Sequence, residues 1–142
     1  MKSLSILLVD DDEIERLKFK KVSQKVNFDC SIFEAKNGEK ALTFLDSNSS
    51  LDVIITDLNM PRMDGFEFLS SLKKNTKFKS IPVVVMSTSE RKIDLDRCYE
   101  FGISGYFSKP LKYSEYVSKV TSLLQYWEKA TLSSRVNCSK FI

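Results

Sequence analysis

Acidic, hydroxyl and lysine side chains stand at the ends of short apolar segments, and together they suit the transfer of a phosphoryl group. An acidic run from Asp10 to Glu13 follows the first segment, and Asp57 closes the apolar part of "VIITDLNMPRMDG". Ser87 and Lys109 follow two later segments. An ionised carboxylate is costly to bury unless a positive charge meets it. Asp57 is therefore either a solvated strand end or a reactive group that a cation accompanies.

The acids predict a divalent metal. Carboxylates held close together repel one another and need a cation to stay ionised. The chain has no histidine, and an oxygen-rich cluster without imidazole or thiolate suits Mg²⁺, with Mn²⁺ as the alternative. Such a metal bridges the protein to a phosphate, while Lys109 and the Ser87 hydroxyl hold other phosphate oxygens. The set forms a cradle for phosphoryl transfer, with Asp57 as the acceptor that becomes an aspartyl phosphate.

Each residue also has an ordinary structural interpretation. Asp12 and Glu13 stand where a helix would begin, and acids at that place serve as N-cap and helix-dipole partners more often than as metal ligands. A single Asp at a strand end is usually structural, and a single Lys-Pro pair is weak evidence. The succession of acids, Asp57, a hydroxyl and Lys109 at successive strand ends is far more specific than any one of them.

The elements that position these residues alternate along the chain. Nearly continuous apolar runs predict five strands covered on both faces: Leu4–Asp10, Cys30–Ala35, Asp52–Asp57, Ile81–Ser87 and Gly105–Lys109. Helical segments lie between and after them: Glu13–Val26, Gly38–Asp46, Gly65–Asn75, Asp94–Phe101 and Ser114–Glu128. This alternation predicts an α/β domain with a parallel sheet. Ligands of such sheets bind beyond the carboxyl ends of the strands, where the polar groups stand.

Length and composition fit one domain of ordinary character. We assign residues 1–128 to the domain and 129–142 to a polar C-terminal tail, which we expect to be flexible. No segment approaches the roughly 18 apolar residues of a membrane span, and the N-terminus is unlike a signal peptide. Three cysteines without CxxC spacing indicate free thiols and a cytoplasmic protein. The net charge of +3 does not suggest nucleic-acid binding.

From about Ser5 to Trp127 the sequence resembles the receiver domain of two-component response regulators. "ILLVDDDEIE" is similar to the first strand and acidic pair of that family, and "VIITDLNMPRMDGFEFL" to its phosphoacceptor segment. "IPVVVMSTS" and "GISGYFSKPLK" are similar to its fourth and fifth strands. The resemblance implies a flavodoxin-like, doubly wound, five-stranded parallel sheet of order 2-1-3-4-5 with five helices. We expect a stand-alone regulator, and Tyr99–Pro110 resembles members that partner phytochrome-type kinases.

The resemblance also implies roles for the residues of the metal and phosphate site. Asp57 would be the phosphorylation site. Asp11 would bind Mg²⁺ directly, Asp10 mainly through water, and Asn59 through its backbone carbonyl, with the Asp57 carboxylate completing the set. Lys109 would be the family's lysine, and its peptide bond to the following proline would be cis.

Two further positions are implied to form the switch. Ser87 stands at the hydroxyl position, where threonine is commoner in the family. Tyr106 would be the aromatic residue that turns inward when Ser87 moves toward a phosphorylated Asp57. The serine lacks the methyl group of threonine, so we expect looser packing around the switch.

The function implied by the resemblance is that of a phosphorelay protein. Asp57 would take a phosphoryl group from a phosphohistidine of a sensor histidine kinase or histidine phosphotransfer protein. The phosphorylated surface would then bind a downstream protein or a second copy of the chain, as a homodimer. We expect no direct contact with nucleic acid or membrane. We also expect no classical enzyme activity, only self-phosphorylation and autodephosphorylation.

Two alternatives remain open at this point. One is a phosphorylation-independent receiver that acts as a protein-interaction module, although such proteins usually lose an acid or the lysine, and this chain has them all. The other is a phosphatase of the haloacid-dehalogenase class. In that class the nucleophile follows the first strand and a second Asp stands two residues on, whereas Asn59 holds that place here.

Overall fold

Strands and helices alternate from one end of the described chain to the other. The structure is a computed structural model, and it describes residues 3–47 and 50–132. Its elements are β1 Leu4–Val9, α1 Glu13–Lys25, β2 Cys30–Ala35, α2 Gly38–Ser47, β3 Val53–Thr56, α3 Gly65–Lys74, β4 Val83–Ser87, α4 Lys92–Glu100, β5 Gly105–Ser108 and α5 Tyr113–Lys129. All five expected strands and all five expected helices form. Within those two ranges no helix has the length and apolar character needed to cross a bilayer.

The strands form one parallel sheet in the order β2-β1-β3-β4-β5. This order confirms the flavodoxin-like arrangement that the resemblance implies. β1 lies between β2 and β3, and β4 joins β3 to β5 at the edge. Because every strand runs in the same direction, the carboxyl ends of β1, β3, β4 and β5 meet along one edge of the sheet.

Each face of the sheet carries its own apolar cluster. Phe19 and Tyr116 belong to the cluster beneath α1 and α5, and Leu45 and Phe68 to the cluster beneath α2, α3 and α4. Helices on both faces explain why the inner strands read as continuous apolar runs. Every residue of β3 and β4 is buried, whereas every residue of the edge strand β5 is only partly buried.

The start of α4 differs from the sequence-based expectation. The helix begins at Lys92 rather than Asp94, and its N-cap residue Arg91 makes no side-chain capping bond. The Arg91 amide instead donates to the Ser89 hydroxyl at 3.3 Å, and Asp94 accepts a bond from that same hydroxyl. Asp94, the first residue of the predicted helix, thus lies inside the first turn of α4 and bonds to the preceding loop.

Two expectations concern the region after β5. The implied cis bond between Lys109 and Pro110 is wrong, because the described residues contain no cis peptide bond. The trans form is the intrinsically favoured one, and these residues carried no independent signal for the other isomer. At the end of α5, Leu132 is buried against the cluster beneath α1 and α5. The tail was predicted for residues 129–142. Its first residue, Lys129, is the last residue of α5, and residues 133–142 lie outside the described residues.

Candidate functional site at the carboxyl edge of the sheet

Asp57 is fixed by the sheet directly after β3. Its amide donates to the Val9 carbonyl at 2.9 Å, so it continues the pairing of β3 with β1. Its Oδ1 accepts a bond of 2.7 Å from the Leu58 amide, and its side chain is only 13% exposed. Burial raises the pKa of Asp57, the Lys109 ammonium opposes that rise, and the Asp10 carboxylate adds to it. A carboxylate so poorly solvated gains from any positive charge brought to it.

Lys109 supplies one such charge from β5. Its amide donates to the Ser87 carbonyl at 2.8 Å, which sets the side chain over the pocket. The Nζ atom lies 2.8 Å from Asp10 Oδ2 and 3.3 Å from Asp57 Oδ2. Burial alone would lower the pKa of Lys109, but the charges of Asp57 and Asp10 outweigh burial and raise it. Lys109 therefore stays protonated and links the two acids.

Three acids converge on the same space. Single carboxylate oxygens of Asp10, Asp11 and Asp57 all lie within 4.8 Å of one another. Asp10 is buried and Asp11 is exposed, so the cluster opens to solvent on one side. One lysine cannot balance three carboxylates, and hard oxygen ligands at this spacing suit a divalent cation. The residues present fit such an ion. The carbonyl role of Asn59 stays a prediction.

The loop after Asp57 is held by backbone bonds and by a glycine. The Gly65 amide donates to the Leu58 carbonyl at 2.8 Å, and Asp64 caps α3 by accepting a bond of 2.9 Å from the Glu67 amide. A Cβ atom at Gly65 would lie 2.6 Å from the Asp57 carbonyl oxygen and 2.6 Å from Leu58 Cα. Only glycine lets α3 begin so close to the end of β3.

Ser87 and Tyr106 are connected through the loop that follows β4. The Ser89 amide donates to the Ser87 hydroxyl at 3.2 Å. The Tyr106 hydroxyl donates to the Ser89 carbonyl at 2.8 Å, and the Ser89 hydroxyl donates to Asp94 Oδ2 at 2.6 Å. The backbone and side chain of Ser89 thus contact β4, β5 and α4. Sequence reasoning did not single out Ser89, because a serine in a loop has no distinctive pattern.

Residues at the start of α1 cap the helix or approach the acidic site. Asp12 is confirmed as the N-cap of α1, since its Oδ1 accepts a bond of 2.9 Å from the Ile14 amide. Glu15 was missed, although its Oε2 lies 3.9 Å from Lys109 Nζ. Arg16 donates to the Asp10 carbonyl at 2.6 Å. Both side chains approach the site from the first turn of α1. Their proximity to the site depends on the direction of this helix, which the sequence does not give.

The fold, the acids and the lysine agree with the sequence comparison. Residues 6–121 match the family described as the response regulator receiver domain. The chain belongs to this family, whose members act in two-component signalling, where they interact with kinases and downstream targets. The receiver family and the position of Asp57 directly after β3, rather than after β1, give no support to a dehalogenase-type phosphatase.

Similar proteins come from several kinds of organism. The probable methanogenesis regulatory protein FilR2 of Methanothrix harundinacea is 31% identical over 127 residues, which span 86% of this chain and 82% of FilR2. The crystal structure of a phosphorylated cyanobacterial phytochrome response regulator, RcpA, has a TM-score of 0.86 at 28% identity, covering 93% of this chain and 99% of RcpA. The Mn²⁺-bound form of the response regulator Rcp1 has a TM-score of 0.83 at 29% identity, covering 91% of this chain and 98% of Rcp1.

Proposed function

We propose that this receiver domain accepts a phosphoryl group on Asp57 from a phosphohistidine, with Mg²⁺ bound by the acidic cluster. The observation that carries the proposal is the convergence of three carboxylates within 4.8 Å of one another, two of which, Asp10 and Asp57, also pair with Lys109. The phosphorylated state of RcpA and the Mn²⁺-bound state of Rcp1, both similar in fold and sequence, support it. The donor is a sensor histidine kinase or a histidine phosphotransfer protein, because this chain has no histidine of its own.

The transfer exchanges one bond for another. An Asp57 carboxylate oxygen forms a bond to phosphorus while the bond between phosphorus and the donor's imidazole nitrogen breaks, and the imidazole keeps the electron pair. A bound Mg²⁺ would neutralise phosphoryl oxygens and the acids beside them. Leu58 orients the acceptor through its amide. Lys109 would meet one phosphoryl oxygen, and the Ser87 hydroxyl would meet another. Beyond this reaction and hydrolysis of its own aspartyl phosphate, we propose no enzyme activity.

The output of the switch is a binding surface, which we place between α4, β5 and α5. A groove there is lined by aromatic side chains that include Tyr99, Tyr106, Tyr126 and Trp127. Tyr99 and Tyr126 are more than half exposed, whereas Trp127 is only 7% exposed. Aromatic residues are enriched at binding hot spots. We propose that this surface binds a downstream protein or a second copy of the chain more tightly after phosphorylation, in the cytoplasm.

Direct phosphorylation tests the acceptor. Incubation with acetyl phosphate and Mg²⁺ should add one phosphoryl group to the intact mass of the protein. Asp57→Asn should take up none, because an amide oxygen cannot form the acyl phosphate. Asp12→Asn is the matched control, since asparagine also caps helices and this variant should be labelled like the original. Labelling of Asp57→Asn, or of the original protein in excess EDTA at the same rate, would contradict the proposal.

Sedimentation with and without beryllofluoride tests the output surface. Beryllofluoride on Asp57 should increase self-association or the binding of a candidate partner. Hydrogen exchange should then show new protection in α4, β5 and α5. Protection confined to α1 and α2 would place the output elsewhere on the domain.

A further inference from the structure

The loop that follows Asp57 is braced from α2 as well as from α3. We infer that Gly38, at the start of α2, is a positioning residue for this loop, and that its missing side chain sets the affinity of the acidic cluster for Mg²⁺. The inference rests on the proposed metal site and names a residue outside it. Gly38 contacts the loop through Met63, six residues after the acceptor.

The contact between Gly38 and Met63 leaves no space for another atom. A Cβ atom on Gly38 would lie 2.8 Å from Met63 Cγ, 2.9 Å from its Sδ and 3.2 Å from its Cβ. Distances below 3.0 Å cannot persist, so Met63 would have to move. The close approach extends to the Cβ of Met63, not only to the flexible end of its side chain. We expect part of the displacement to reach the loop backbone, because the Met63 Cβ would have to shift as well.

The other side of the contact is firm. Asn37 is buried, and its Oδ1 accepts a bond of 2.8 Å from the Lys40 amide, which fixes the first turn of α2. Ala41 and Leu45 then anchor the helix in the apolar cluster beneath α2, α3 and α4. An added methyl group at residue 38 would therefore displace the loop more readily than the helix.

The loop has little slack with which to absorb the displacement. Leu58 is tied to Asp57 Oδ1 at one end, and Asp64 caps α3 at the other. Between them Met60 is buried in the apolar cluster, and Arg62 takes the left-handed backbone conformation, with φ of 66°. Movement at residue 63 must therefore be shared with the residues next to Asp57, including Asn59. These residues border the carboxylates that would hold the metal.

A purely structural glycine predicts the opposite result. Gly38 lies in a helix, and its φ is outside the left-handed range, since Gly102 is the glycine with positive φ among the described residues. Alanine fits such a backbone and favours helix formation over glycine. If Gly38 served only the helix, Gly38→Ala would raise the melting temperature of the metal-free protein and leave Mg²⁺ binding unchanged.

Calorimetric titration with Mg²⁺ distinguishes a loop-positioning role of Gly38 from a purely structural one. We expect Gly38→Ala to bind Mg²⁺ about tenfold more weakly than the original protein, as altered support of metal sites typically does. Adding Gly38→Ala to a Met63→Ala background should weaken Mg²⁺ binding much less than it does in the original protein. Alanine at residue 63 lacks the Cγ and Sδ atoms that make both contacts below 3.0 Å and keeps only the Cβ contact at 3.2 Å. Glu39→Gln is the matched control. It removes the ion pair with Arg62, 3.7 Å long and exposed, without touching the steric contact, and should bind Mg²⁺ normally.

The outcomes distinguish this inference from the proposed function. Absence of Mg²⁺ binding by the original protein would overturn the metal site, and the inference with it. Normal Mg²⁺ affinity of Gly38→Ala would overturn the inference alone. An equal loss of affinity in the Met63→Ala background would also overturn it, because the contact would not run through Met63. Failure of Gly38→Ala to fold would show that the contact supports the fold rather than the loop.

Discussion

The acidic pocket and the aromatic groove lie on neighbouring strands but are built to different degrees of rigidity. The acids of the pocket follow β1 and β3, whose residues are almost all buried, and Lys109 joins them from the end of β5. The groove stands on β5, which is partly buried throughout, and on α4, where Cys98 alone of the nine helical residues is buried. Segments with few buried contacts open at lower free energy than the core. The chemistry is therefore held firmly, while its readout can change conformation.

The ion pairs of the two regions also differ in their exposure to solvent. Lys109 and its acids are nearly removed from water, with side-chain exposures of 11% for the lysine and 7% for Asp10. On α4, Lys92 and Asp96 form an ion pair of the same 2.8 Å length, but at exposures of 86% and 57%. Equal distances thus hide unequal energies, because solvent screens the second pair and not the first.

Replacement of the two lysines tests that inequality, and it should give the largest effect. Lys109→Ala leaves the buried acids without their partner, and we expect it to lower the free energy of unfolding by about 3 kcal/mol in EDTA. Lys92→Ala should leave it unchanged within error. Urea unfolding monitored by circular dichroism measures both.

The pH dependence provides a second check on Lys109. Because its pKa is raised in the fold, its contribution is fully present below the pKa of an unfolded lysine, near 10.4. The contribution is lost as pH rises through the higher pKa of the folded state. Stability of the original protein should therefore fall in that alkaline range more than stability of Lys109→Ala. Equal alkaline slopes would contradict the buried pairing.

Asp57 should show the cost of keeping a carboxylate in the rigid pocket. Its raised pKa means that folding disfavours the ionised form. Asp57→Asn should therefore stabilise the metal-free protein at neutral pH, by roughly 1 to 2 kcal/mol. The advantage should shrink as pH falls through the raised pKa of folded Asp57 and vanish below the unfolded value, near 3.9. Destabilisation by Asp57→Asn at neutral pH would show that the lysine pairing outweighs burial.

Replacement of Tyr106 tests whether the aromatic groove is more flexible than the acidic pocket. Tyr106→Phe removes the hydrogen bond to the Ser89 carbonyl, and the expected global cost is about 1 kcal/mol. The informative measurement is local hydrogen exchange. Amides of residues 88–91 and of α4 should lose protection, while those of β1 and β3 keep theirs. Uniform loss across the sheet would mean that the groove is as firmly coupled to the core as the pocket is.

Asp11 should give the smallest change in stability, because it is exposed. Asp11→Ala relieves repulsion among the three carboxylates, and metal-free protein should gain about 0.5 kcal/mol or less. The substitution should affect metal binding much more than it affects stability. The rise in melting temperature with Mg²⁺ should disappear. A Mg²⁺-dependent rise that persists in Asp11→Ala would locate the ion away from the cluster.

The fold and the central site were predictable because they depend on patterns that the chain carries locally. Apolar runs located the strands, and the parallel arrangement then brought Asp57 and Lys109 to one edge. Contacts that depend on the direction of a helix or the path of a loop were not predictable. Glu15 reaches Lys109 only through the pitch of α1, and Gly38 meets Met63 only because α2 lies beside α3.

Aromatic residues show the same limit. Helical spacing placed Trp127, but not Tyr126, on the apolar face of the last helix, yet it did not show whether Trp127 fills the core or serves the output surface. Both Tyr126 and Trp127 belong to α5, yet one is 64% exposed and the other 7%. Their ring centroids are 4.8 Å apart with edge-to-face packing. Neighbouring positions on a helix point in different directions, and only the orientation of α5 against β5 decides which is buried.

The strand order has a consequence for synthesis on the ribosome. Each strand after β1 joins an edge that already exists: β2 and β3 flank β1, β4 adds to β3, and β5 adds to β4. A nascent chain can therefore extend the sheet outward in the order of translation, with no late strand inserted between earlier ones. Asp10 and Asp57 emerge before Lys109. Lys109 opposes their repulsion only when the last strand docks, so the sheet is completed by the strand that brings positive charge to the reactive centre.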